Sequence, residues 1–162
     1  MDSFARFIPD GAELDARAIR AAGLAARPFP ELAIPAEIAA VGRLVGAEQA
    51  ELWSCQYQRE PLHLAGLSLD EAGRQSFALG YESVLVAFEA ARTYIWQPLE
   101  HEFFVIFAPQ PTLEAIRSAG IFAYDFHDYA REDYFKGKRS DYLVEMGRRY
   151  TIAGRDPQGD DA

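Results

Sequence analysis

Helical spacing and strict alternation take turns along the chain. Leu14, Ala18, Ile19 and Ala22 recur at helical spacing behind Asp10 and Glu13, which stand three apart as a capping box, and Gly23 stops the run. The spacing predicts a short first helix. From Arg27 to Pro35 the prolines at 28, 30 and 35 exclude a helix, and Pro35 is placed to open a second one carrying Ile38, Val41 and Leu44 up to Gly46. Leu52 to Gln58 alternates, so a half-buried strand is expected with Trp53, Cys55 and Tyr57 on one face and Leu52, Ser54, Gln56 and Gln58 on the other. Ser68 and Glu71 repeat the capping-box spacing ahead of Leu69, Ala72 and Phe77. Val84, Leu85, Phe88, Ala91 and Ile95 fall on one stripe, which predicts a helix from Ser83 that Pro98 closes.

The run Phe103 to Phe107 is apolar on both faces and β-favouring, as in a strand covered on both sides near the middle of a sheet. Thr112 caps a predicted short helix through Ile116 that Gly120 ends. Ile121 to Phe126 alternates again, which predicts a strand with Phe122, Tyr124 and Phe126 facing one way and Ala123, Asp125 and His127 the other. One or two helical turns follow over 128–135, and Gly137 breaks them. Ser140 is expected to cap a last helix with Leu143, Met146 and Tyr150 inward and Arg148 and Arg149 at its dipole-favoured end. These elements predict an α+β fold: one domain over residues 1–153, about six short helices packed on a small mixed or antiparallel sheet of three or more strands. The segment 154–162 has no large apolar anchor and is expected as a disordered tail.

A chain of 162 residues buries roughly 70% of its unfolded surface when it folds as one unit, so neither a metal nor a disulfide staple is required. The single cysteine, Cys55, rules out an internal disulfide and fits a reducing compartment. No apolar stretch approaches the roughly 20 residues of a membrane span, and no basic segment followed by an apolar one opens the chain. A cytoplasmic protein without membrane contact is therefore expected. Asp and Glu outnumber Lys and Arg by 25 to 16, which argues against non-specific nucleic-acid binding. The excess is uneven: acids dominate residues 1–130, whereas residues 131–155 are locally basic. The aromatics gather between Tyr94 and Tyr150, so that half supplies either most of the large core side chains or an aromatic surface.

Four groups of residues carry candidate chemistry. Asp125 and His127, two apart on the predicted strand, would project on one side, and His101 or Glu102 on a neighbouring strand would complete an oxygen and nitrogen site for a divalent metal. The plainer reading is a solvated acidic strand end. Cys55 with His63 as base would form a nucleophilic pair, set against a buried thiol beside Trp53 and Tyr57. Gly137-Lys-Arg-Ser140 holds the Gly-Lys element of a phosphate loop ahead of a helix, which makes Lys138 and Arg139 candidate anion ligands; position 132 is Glu where the upstream glycine would stand. Finally, Tyr124, Phe126, Tyr129, Tyr134 and Phe135 are interleaved with acids, and tyrosine clusters of this kind are enriched at binding surfaces.

No motif in the chain amounts to a signature. The composition favours a non-enzymatic acidic interaction protein that needs no cofactor and whose face at Asp128, Tyr129, Glu132 and Tyr134 binds a protein partner, a basic one being the natural complement. An inhibitor, an immunity-type antidote or a chaperone-like adaptor fits that description. The alternatives are a metal-assisted hydrolase built on the Asp125 and His127 site, with Glu132 as base, and a small domain binding an anionic ligand through Lys138 and Arg139.

Overall fold

Three runs bury every side chain, Ser83–Phe88, Thr93–Gln97 and Phe103–Ala108, and an interior strand covered on both faces is the arrangement that allows it. In the computed structural model, which describes residues 1–11, 13–55, 60–79, 82–99, 102–122, 124–132 and 137–155, they belong to one six-stranded antiparallel sheet. Its strands are β1 (Ala25–Pro30), β2 (Ala50–Cys55), β3 (Leu62–Leu67), β4 (Ser83–Phe88), β5 (Thr93–Gln97) and β6 (Phe103–Ala108), in the spatial order β1-β6-β5-β4-β2-β3. Seven helices among the described residues cover it: α1 (Ser3–Phe7), α2 (Ala16–Ala21), α3 (Pro35–Leu44), α4 (Leu69–Ala78), α5 (Gln110–Ser118), α6 (Phe126–Ala130) and α7 (Lys138–Arg149).

The sheet separates two cores. On one face Phe4, Phe7, Ile19, Phe126, Leu143 and Met146, from α1, α2, α6 and α7, pack on Trp53, Trp96 and Phe107. On the other, Ile38, Val41, Ala72, Leu113 and Ile116, from α3, α4 and α5, pack on Leu52, Val86, Ile95 and Phe104. The α+β reading holds, and the sheet is antiparallel throughout. Close approach matters most between α3 and α4. A Cβ on Gly73 would stand 2.5 Å from the Pro35 carbonyl oxygen, so only glycine lets the two backbones meet there.

Several local expectations are overturned. The helix predicted from Ser83 to Ile95 is β4, a one-turn 3-10 helix at Glu89–Ala91 and β5, paired in register from Val84 with Gln97 to Phe88 with Thr93. A stripe at helical spacing is also satisfied by a run that is apolar at nearly every position, and burial on both faces decides for strand. The described residues of the predicted strand at 121–126 form no strand: Asp125 is the N-cap of α6, its Oδ1 accepting the Asp128 N–H at 3.1 Å. Thr112 lies inside α5, whose N-cap is Pro109, and the Ser140 hydroxyl donates to the Ala130 carbonyl while Gly137 occupies the N-cap of α7. The helix expected behind Asp10 is α2, which starts at Ala16 behind Asp15; the Asp10 carboxylate accepts the Glu13 N–H in the preceding loop, and α1 has no counterpart in the sequence expectation. Gly154, where the tail was expected to begin, donates its N–H to Gln110 Oε1 at 2.8 Å; residues 156–162 lie outside the described residues.

Both sheet edges are modified. On the outer side of β1, Ala26 exchanges two backbone hydrogen bonds with Ile152. The next outward positions along an edge strand are 28 and 30, and both are proline, so no N–H is left unpaired there. At the opposite edge, β3 carries an extra residue against β2 between the Ala50 and Leu52 pairings, with Gly66 at φ 66°.

Candidate functional site

The β1 and β6 strands end together, and three elements deliver carboxylates to that end. Pro30 pairs with Phe103, so Glu31 and Glu102 are brought alongside, and the Glu31 N–H donates to the Glu102 carbonyl at 3.0 Å. Just past α6, Glu132 adds a third acid. Between them stands Tyr129, whose ring is buried against Phe126 and whose hydroxyl is pushed up to about 12, first by burial and then by the charges of Glu31, Glu102 and Glu132. Arg139, in the first turn of α7, is the opposing charge and is ion-paired with Glu102.

Glu31 is held in the left-handed region at φ 65°, a conformation that costs a residue other than glycine, asparagine or aspartate of the order of 1 kcal/mol. It follows Pro30, whose ring fixes the entry to the turn. Strain retained at an exposed carboxylate sets this position apart from ordinary surface acids.

Of the residues assigned to partner binding from the sequence, Asp128 and Glu132 are exposed and Tyr129 is largely in the core with its hydroxyl toward the acids. Tyr134 lies outside the described residues. Of the other rings in that aromatic run, Phe126 is in the core, Tyr124 is 75% exposed and Phe135 lies outside the described residues. The sequence reading missed Glu31, because only the register of β1 on β6 brings it to Glu102.

The residues proposed for a metal do not share a strand face. Asp125 spends its carboxylate on the cap of α6, His127 sits in the single turn that follows with its ring edge toward Phe126, and His101 lies outside the described residues. Glu102 is engaged by Arg139. Among the described residues no three of His, Cys, Asp and Glu gather as metal ligands would. Arg139, one of the two candidate anion ligands, is therefore drawn toward a carboxylate, while Lys138 is exposed at the start of α7.

Cys55 is buried on the face of Trp53, and burial together with the charge of Glu82 pushes its thiol up, away from the thiolate a nucleophile needs. His63 is occupied elsewhere. Its ring lies flat on the Trp53 indole, centroids 4.4 Å apart, and its Nε2 is 3.3 Å from Glu51.

No known family model, curated protein or solved structure matches the chain.

Proposed function

We propose that this protein is a non-enzymatic binding protein whose acidic end, around Tyr129, takes a basic segment of a protein partner. The observation that carries the reading is the convergence of Glu31, Glu102 and Glu132 from three separate elements on one tyrosine hydroxyl, with the Arg139 guanidinium among them. Such a surface attracts a positive partner at long range, and the Tyr129 hydroxyl offers a polar contact on a rigid, core-anchored ring. The exposed Asp128, one residue before Tyr129, extends the negative field. The positive φ of Glu31 supports a selected role for that carboxylate, since glycine would occupy the turn at lower cost. An inhibitor, an immunity-type antidote to a basic toxin and an adaptor all use a face of this kind, and the net charge of −9 with a single cysteine in the sequence suits the cytoplasm.

The test uses a labelled octa-arginine peptide as probe and measures its anisotropy at low and moderate salt. Replacing Glu31 and Glu132 together by Gln is expected to weaken binding by about tenfold, and the same charge removed at the exposed Glu48 and Glu60 by about twofold or less. Equal losses from the two pairs would mean that net charge alone attracts the probe, and the acidic end would then be no site.

A further inference from the structure

α5 and α6 pack on opposite faces of the sheet, so the chain between them passes from one face to the other. Beneath that crossing lies a cavity of about 460 Å³, lined by Arg27 and Phe29 of β1, Arg117 of α5, and Phe122 and Asp125 of the crossing segment. Its size is that of a small-molecule site. Phe29 and Phe122 give it an aromatic wall, their ring centroids 4.8 Å apart.

The charges in this cavity are unbalanced in a specific way. Arg27 is half-buried, and among the described residues neither it nor Arg117 has an ion-pair partner. The two acids nearby are already engaged: Asp125 accepts the Asp128 N–H, and Glu114 accepts from the Gln110 side-chain amide at 3.1 Å. Burial first, and then the Arg117 charge, hold the Arg27 guanidinium below its ordinary value, and the attraction of Asp125 is the smaller effect. Two guanidiniums that repel each other across a cavity are stabilised by an anion between them, and arginine's fork of N–H donors matches carboxylate and phosphate oxygens.

We propose that this cavity binds a small organic anion, its phosphate or carboxylate held between Arg27 and Arg117 and a flat apolar body lying against Phe29 and Phe122. The site is separate from the acidic end, uses none of its residues, and stands whether or not a basic partner binds there. It also differs in residues from the anion site expected at Lys138 and Arg139.

Calorimetric titration of the full chain with phenyl phosphate, benzoate, inorganic phosphate and phenol tests the assignment. Phenyl phosphate or benzoate is expected to bind at least about tenfold tighter than inorganic phosphate or phenol, because only the former pair engages both the guanidiniums and the rings. Arg117→Gln is expected to weaken that binding by about tenfold or more, while Arg20→Gln, which removes the same charge from the end of α2, leaves it unchanged. Since Arg117 is exposed and repelled by Arg27, its removal should leave the melting temperature of the unliganded protein equal or higher; a purely structural arginine would lower it. The proposal is overturned if neither aromatic anion saturates at millimolar concentration, if inorganic phosphate binds as tightly, or if the Arg20 and Arg117 variants lose affinity equally. A phosphotyrosine peptide that binds far more tightly than phenyl phosphate would replace the small ligand with a protein segment and overturn it as well.

Discussion

Arg139 is ion-paired with Glu102, so one guanidinium from α7 stands among the three carboxylates that surround the Tyr129 hydroxyl. Its charge partly offsets theirs. Arg139→Gln should therefore push the Tyr129 hydroxyl above its value of about 12 and tighten octa-arginine binding, both read on a protein whose circular dichroism is unchanged. The pH dependence follows from the same group. An unfolded tyrosine ionises near 10, and the folded Tyr129 is raised, so the neutral phenol's contribution is fully present below about pH 10 and is lost as pH rises toward 12. Tyr94 and Tyr150 are raised too, chiefly by burial, and add to the same alkaline loss. Urea melts between about pH 9 and 11 should show Tyr129→Phe losing less stability with pH than the parent chain.

Glu31 offers a change with opposite signs in two measurements. Glu31→Gly keeps the backbone N–H that donates to Glu102 and relieves the positive φ, so denaturant melts should show about 1 kcal/mol gained. The lost carboxylate should weaken octa-arginine binding in the same protein. A variant that is both less stable and unaffected in binding would contradict the account of this turn.

The meeting of α3 and α4 separates two glycines that look alike in sequence. A Cβ at Gly73 faces the backbone of Pro35, at 2.5 Å from its oxygen and 2.9 Å from its Cα, and the backbone has no room to yield. Gly73→Ala should cost about 1–3 kcal/mol. At Gly42 the tight contacts are side-chain atoms, Leu69 Cδ2 at 2.8 Å and Phe88 Cε1 at 2.9 Å. Alanine's better helix propensity offsets part of that strain, so Gly42→Ala should cost less in parallel melts.

Phe104 is buried at the centre of three rings, 5.4 Å from Phe29 and 5.3 Å from Phe122 by centroid. Phe104→Ala should lower stability by about 3–5 kcal/mol through lost burial and the cavity left behind. Because Phe29 and Phe122 also wall the anion cavity, the same variant should weaken phenyl phosphate binding without touching either arginine.

What the sequence made legible follows from where each signal is local. Pro35, Gly46 and Ser68 act within a few residues of themselves, and the boundaries they mark for α3 and α4 are where the structure has them. The alternation of Trp53 and Cys55 against Leu52 and Ser54 likewise marked a strand at β2, although the half-buried strand expected there is covered on both faces and Gln56, Tyr57 and Gln58 lie outside the described residues. Val84 to Phe88 misled because a run apolar on both faces has no periodicity to read, and β1 was hidden by Pro28 and Pro30, residues an interior strand could not hold but an outward edge position can. The functional candidates fared worse for a physical reason. Glu31 meets Glu102, and Arg27 meets Arg117, only through the register of β1 on β6 and the packing of α5, which no local pattern encodes.

The two rims of the sheet differ in a way that bounds how copies of this chain could join. Along β1 the backbone is closed to a newcomer by Ile152 and by two prolines that have no hydrogen to give, whereas β3 has no strand on its outer side among the described residues and is interrupted there only at Gly66. In the language of polymers the sheet is monovalent. A second copy adding by strand pairing has only β3 to offer in return, so growth terminates at a two-fold pair, and the repeated head-to-tail addition that makes a filament has no second reactive end.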